Sequence, residues 1–159
     1  MLSAVILYAE DDENDAFFAK RALDKSGLPL SVVRVSDGQE VIQYLEGEGP
    51  YSDRSLFPFP NLLLLDLKMP LMGGFDVLAW LKARPHFKSL PVIILSSSDQ
   101  QEDVREARCL GAIDYFVKPA VADDLNTILL NIYQRLLSPD SDAAALVYAN
   151  SAFIHSRAA

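Results

Sequence analysis

Only one cysteine, Cys109, is present among 159 residues, so no intrachain disulfide is open to this chain. That usage fits a protein kept in a reducing cytoplasm. Histidines number two, His86 and His155, far apart in sequence. With a single thiolate they exclude a cysteine–histidine zinc site in a monomer. Cations are scarce: 14 Lys and Arg stand against 22 Asp and Glu, a formal net charge of −8 with a pI near 4.6. A surface of that sign repels phosphate backbones and anionic headgroups, so neither nucleic acid nor a membrane is an expected partner. Long apolar runs are missing too. The longest, Ala143 to Ala149, has seven residues, well short of the roughly 18 that a transmembrane helix needs. No basic segment precedes Val5-Ile6-Leu7, so a secretory leader is not expected. No internal repeat is visible. What remains, half of it hydrophobic, suits about one domain with a real core.

That half is patterned as alternating strands and helices. Apolar runs at Ala4–Ala9, Ser31–Val35, Leu62–Leu65, Pro91–Leu95 and Ile113–Val117 read as five strands. Those at Leu62–Leu65 and Pro91–Leu95 are apolar throughout, the mark of strands buried on both faces of a helix-covered parallel sheet. Between them lie helical segments. Asp12 to Ser26 carries its acids first and Lys20, Arg21 and Lys25 late, the order that suits a helix dipole, with Gly27 as a stop. Asp37 caps a second helix bearing Val41, Ile42 and Leu45. The others span about Gly74–Ala83, Gln100–Leu110 and Val121–Leu137. The stretch Gly47–Pro60, with two glycines, three prolines and a polar middle, reads as a long loop. Strict alternation implies right-handed crossovers and a doubly wound α/β fold. The domain is predicted over 1–138. Residues 139–159 form a tail, too short for an effector domain, in which Asp142–Phe153 could make one short helix.

In a parallel sheet the carboxyl ends of all strands share one rim, where such folds bind ligands. The rim gathers Glu10, Asp11 and Asp12, then Asp66, then Ser96, Ser97 and Ser98, then Lys118. Each piece has an ordinary explanation: a solvated helix start, a turn, a surface lysine. Their joint arrival at four strand ends does not. Clustered carboxylates repel unless a cation sits among them, and Mg²⁺ is held by one or two carboxylates with phosphate and water. Asp66 can then attack phosphorus and form an acyl phosphate. Lys118 would offset the charge of the transferred group, and Ser96 would donate to a phosphoryl oxygen.

At these residues the chain resembles the receiver domain of two-component response regulators, of the chemotaxis-regulator type, over about residues 3 to 137. The resemblance implies a flavodoxin-like (βα)5 fold with a five-stranded parallel sheet ordered 2-1-3-4-5. It implies Asp66 as phosphoacceptor, Glu10 and Asp11 as the metal-binding acid pair, and the Lys68 backbone carbonyl as a further ligand to Mg²⁺. Ser96 and Lys118 stand at the phosphoryl-binding positions, and Tyr115 at that of the aromatic switch residue that moves with Ser96. The Lys118–Pro119 bond is expected to be cis. Met69-Pro70 and Gly74 match the turn after the phosphoacceptor, although Gly73 replaces the acid common before Gly74. The long 47–60 insertion and the opening Glu10-Asp11-Asp12-Glu13-Asn14-Asp15 resemble the stand-alone regulators paired with bacterial phytochromes.

The function so implied is that of a cytoplasmic, single-domain phosphoacceptor, not an enzyme beyond its own phosphorylation and dephosphorylation. It would take a phosphoryl group from a sensor histidine kinase, a bacteriophytochrome in the narrower match, and signal through a downstream protein. The alternative is a pseudo-receiver that binds partners without phosphotransfer. A haloacid-dehalogenase-type phosphatase would need a second aspartate where Lys68 stands. A flavin binder would need a phosphate-cradling loop where the chain is acidic. Trp80, on the helix after Asp66, is a candidate reporter of metal binding. Leu125, Ile128, Leu129, Ile132 and Leu136 form a stripe sufficient to cover the sheet. Leu130, Tyr133 and Leu137 form a second, which together with Leu146, Val147, Tyr148, Phe153 and Ile154 of the tail predicts a homodimer through helix five.

Overall fold

The computed structural model describes residues 3–140 and the backbone of residues 154–155. Strands β1 (Ala4–Ala9), β2 (Leu30–Val35), β3 (Leu62–Leu65), β4 (Val92–Ser96) and β5 (Asp114–Val117) pair in parallel in the order 2-1-3-4-5. Helices α1 (Glu13–Ser26), α2 (Gly38–Glu46), α3 (Gly74–Lys82), α4 (Gln101–Cys109) and α5 (Ala122–Ile132) connect and follow them. The leucine run of β3 shows why. Leu63 and Leu65 enter a core shared with α2, α3 and α4, whereas Leu62 and Leu64 enter one shared with α1 and α5. Successive side chains of a strand point to opposite faces, so a strand covered on both must be apolar at every position. All four leucines are at most 3% exposed.

Two features depart from the sequence-based expectation, and one expectation is not reached. A sixth, two-residue strand, β6 (Ile154–His155), extends the sheet by pairing in parallel with Tyr115 and Phe116. Free N–H and C=O groups on an edge strand are a ready template for such addition. The short helix expected over 142–153 lies outside the described residues. The last helix is not uniform either, since α5 passes at Tyr133–Leu137 into a π-helical turn. The wider turn shifts the register. Leu137, expected on an outward stripe, instead packs with Leu136 against the core beneath α1 and α5, and Arg135 reaches the buried Asp114 at 2.8 Å. Leu130 remains exposed.

The 47–60 segment is ordered as well as long. Gly47 ends α2 in the left-handed region at φ 68°, and a 3₁₀ turn follows at Gly49–Tyr51. Arg54 donates to the carbonyls of Tyr44 (2.8 Å), Leu45 (2.8 Å) and Phe57 (3.2 Å). It thereby satisfies the orphan carbonyls at the end of α2. Tyr44, Tyr51 and Phe57 pack ring against ring at centroid distances of 4.9 to 6.2 Å. The cluster sits at the amino ends of the strands, opposite the acidic rim.

Candidate functional site

Asp66 follows β3 directly and is 4% exposed. Its backbone N–H donates to Ala9 on β1 at 3.1 Å, which ties it to the strand that ends just before Glu10. The chain then turns sharply. Gly74 sits so close behind Asp66 that an added Cβ would lie 2.4 Å from the Asp66 carbonyl oxygen. No side chain fits there. Within the same turn Leu71 adopts φ 63° while the Met72 N–H donates to Pro70 at 2.6 Å. This is a classic-type γ-turn at a non-glycine residue, a strained conformation held by the surrounding structure.

Lys118 is the hub of the site. Its ammonium lies 2.9 Å from Glu10 Oε1 and 3.0 Å from Oε2, 2.9 Å from Asp66 Oδ2 and 2.8 Å from Asp15 Oδ2. It gets there because β5 pairs with β4, and the Lys118 N–H continues that ladder to the Ser96 carbonyl at 2.8 Å. The second Asp66 oxygen accepts a long hydrogen bond from the Lys68 N–H at 3.4 Å. Glu10 is wholly buried. Burial and its hydrogen bond with Asp66 push its pKa up to about 9, against the pull of Lys118. Burial of Asp15 acts in the same sense, yet its hydrogen bonds to Lys118 and Glu10 prevail and hold its carboxyl below the usual range.

Carboxylate oxygens of Glu10, Asp11 and Asp66 all lie within 4.8 Å of one another. An all-oxygen donor set of this charge, with Glu10 forced toward its protonated form, fits a hard divalent cation. Asp11 and Asp12 are exposed, and Asp12 is committed to capping α1 by accepting from the Asp15 N–H at 2.9 Å.

The serine run is sorted by the end of β4. Ser96 is fully buried and its hydroxyl accepts from the Ser98 N–H at 3.2 Å, whereas Ser97 faces solvent. Ser98 carries two contacts that the sequence did not single out. Its hydroxyl donates to Asp103 at 2.5 Å, and its carbonyl accepts from the Tyr115 hydroxyl at 2.8 Å. Tyr115 is fully buried and points inward, beneath α4.

Two expectations are corrected. The Lys118–Pro119 bond is trans, since no cis peptide occurs among the described residues. Trans is the intrinsically favoured isomer even before proline, and with it the Lys118 ammonium already reaches all three carboxylates. Trp80 is not poised to sense the rim: its ring packs against Phe87 at 5.3 Å and under Arg84 at 4.1 Å, on the last turn of α3. Asp15 is the contact that sequence reasoning missed. The signal available was weak, because an acid in the first turn of a helix has an ordinary role.

The sequence model of the response regulator receiver domain matches residues 6–130. The chain is 33% identical over 121 residues to the response regulator Rcp1 of a Synechocystis strain, covering 76% of this chain and 80% of that protein. The crystal structure of the phosphorylated cyanobacterial phytochrome response regulator RcpA aligns with a TM-score of 0.76 at 35% identity, covering 86% of this chain and 95% of that one. A Mn²⁺-bound form of Rcp1 aligns with a TM-score of 0.71 at 31% identity, over 82% of this chain and 92% of that one.

Proposed function

From the premise that this chain belongs to the response regulator receiver domain family, we propose that it accepts a phosphoryl group on Asp66 from a sensor histidine kinase and signals by altered protein binding. One observation carries the proposal: Asp66 is buried among acids, with Lys118 2.9 Å from its carboxylate. Glu10, Asp11, Asp66 and the Lys68 carbonyl would hold Mg²⁺, which supplies charge neutralisation for the attack of one anion on another. Asp66 is the nucleophile. Its carboxylate oxygen forms a bond to phosphorus as the donor's histidine nitrogen departs. Lys118 stabilises the charge on the phosphoryl oxygens, and the Ser96 hydroxyl donates to one of them. Burial of Asp66 limits the access of water to the acyl phosphate.

The readout follows from Ser96 and Tyr115. A Ser96 hydroxyl turned toward the phosphoryl group changes the β4–α4 loop, where Ser98 bonds the Tyr115 hydroxyl. The surface of α4, β5 and α5 is then the element to be biased. The likeness to RcpA, described as a phytochrome response regulator, supports a bacteriophytochrome-type kinase as the donor. A homodimer through α5 belongs to the same proposal, with Leu130 as its exposed apolar residue among those described.

Incubation with acetyl phosphate and Mg²⁺ should add one phosphoryl mass to the intact protein. Asp66→Asn should not be labelled. Labelling of that variant at the wild-type level would falsify the assignment. Absence of labelling in the wild type, with binding of a kinase retained, would favour a pseudo-receiver.

A further inference from the structure

We infer that Asp15 is a positioning residue. It shares the charge of Lys118 with the phosphoacceptor and so sets, in opposite directions, how tightly the rim holds a divalent cation and a phosphoryl group. The inference rests on the phosphoacceptor reading. Asp15 is the third residue of α1, where an acid commonly folds back onto the amide of the capping residue. Here the helix is capped by Asp12, which accepts the Asp15 N–H, and the Asp15 side chain turns away to Lys118 at 2.8 Å. An ammonium has three protons to donate. On Lys118 they face three carboxylates, those of Glu10, Asp66 and Asp15.

The three acceptors are not equivalent. Glu10 and Asp66 belong with Asp11 to the oxygen cluster that includes the phosphoacceptor, whereas Asp15 falls in a second oxygen group, with Glu10 and Asp12, that leaves Asp66 out. A cation there draws charge from Glu10 and Asp66 and leaves Asp15 as the remaining anion on Lys118. A phosphoryl group on Asp66 then needs the same ammonium. Asp15 competes for it, and its negative charge also repels the incoming phosphoryl oxygens. Toward the cation the sign reverses, because every carboxylate near the rim favours positive charge. The Asp15 side chain is 42% exposed while that of Lys118 is 15% exposed, so solvent weakens the effect without abolishing it.

Calorimetry on the full chain tests this, with Mg²⁺ alone and then with beryllofluoride at saturating Mg²⁺. Asp15→Asn keeps the size of the side chain and an acceptor oxygen but removes the charge. It should weaken Mg²⁺ roughly three- to tenfold and tighten beryllofluoride by a similar factor, as expected for one partly screened charge. Asp15→Glu should bring both constants back toward wild type. A residue that only supports α1 would move both affinities the same way or move neither, and either pattern overturns the inference. Wild-type protein that binds neither probe sinks the phosphoacceptor reading itself, and the role of Asp15 with it.

Discussion

At the carboxyl ends of the strands three carboxylates share one ammonium, whereas at the amino ends Tyr44, Tyr51 and Phe57 pack ring on ring around the Arg54 anchor. The polar groups of the amino end are paired. Arg54 caps three carbonyls, the Tyr44 hydroxyl donates to Pro58 at 2.8 Å, and the Tyr51 hydroxyl donates to Glu40. The acids of the rim outnumber their cation, and Glu10 is driven toward protonation. Such under-neutralisation lowers stability, and under the proposed function it is the source of affinity for a cation and of reactivity at Asp66. The sheet thus joins an end built for function to an end built to hold the fold. Perturbing one end is expected to leave the other largely unchanged.

The sharpest break comes from the amino end. Tyr44→Ala should cost about 3–5 kcal/mol, the usual loss for truncating a buried aromatic, while the folded fraction keeps its labelling by acetyl phosphate. Denaturant unfolding beside a phosphorylation assay checks both, and lost labelling in folded protein would show that the two ends are coupled. Arg54→Ala comes next. Loss of a charged donor to three carbonyls should cost about 2 kcal/mol; a loss below ~0.5 kcal/mol would mean that water replaces the guanidinium.

At the rim the sign should invert. In EDTA at neutral pH, Glu10→Gln should stabilise the protein by about 1 kcal/mol, because it removes a buried acid from a crowded site. The same change should weaken Mg²⁺ binding. A less stable variant would show that Lys118 already compensates the cluster in full.

A pH effect follows from Glu10. Its folded-state pKa lies above its unfolded value, so between about 4.5 and 9 the metal-free folded protein holds the extra proton. Stability from this group therefore falls as pH rises through that window. Cation binding must displace the proton, so Mg²⁺ affinity should rise with pH up to about 9. Calorimetry in buffers of different ionisation enthalpy should register up to about one proton released at pH 7; zero release would place the proton elsewhere. The smallest expected effect is a null. Trp80, stacked between Arg84 and Phe87, should keep its fluorescence on metal binding, and a change of more than a few per cent would reveal communication between the two ends.

How legible the molecule was can be judged residue by residue. The five strands, their parallel pairing and the two-sided burial of β3 were readable, because unbroken apolar runs between helix signals admit few other arrangements; the strand order came with the family resemblance. Gly47 stood out as the start of a loop and Gly74 as a match to the family's turn, but only the tertiary fold shows that Gly74 backs onto the Asp66 carbonyl. The gathering of Glu10, Asp66 and Lys118 was legible from topology, since parallel strands send their carboxyl ends to one edge. That gathering says which residues share a rim. It does not say which atoms meet. Asp15 was illegible for that reason: its first-turn position has a local explanation, and its contact with Lys118 spans 103 residues. The π turn of Tyr133–Leu137 and the strand added at Ile154–His155 were likewise decided by packing and edge pairing. Hydrophobic periodicity records the face that a residue buries, and so the sequence alone determined the layers and the rim. Ion-pair partners and helix register depend on distances across the fold, and only the tertiary structure decides those.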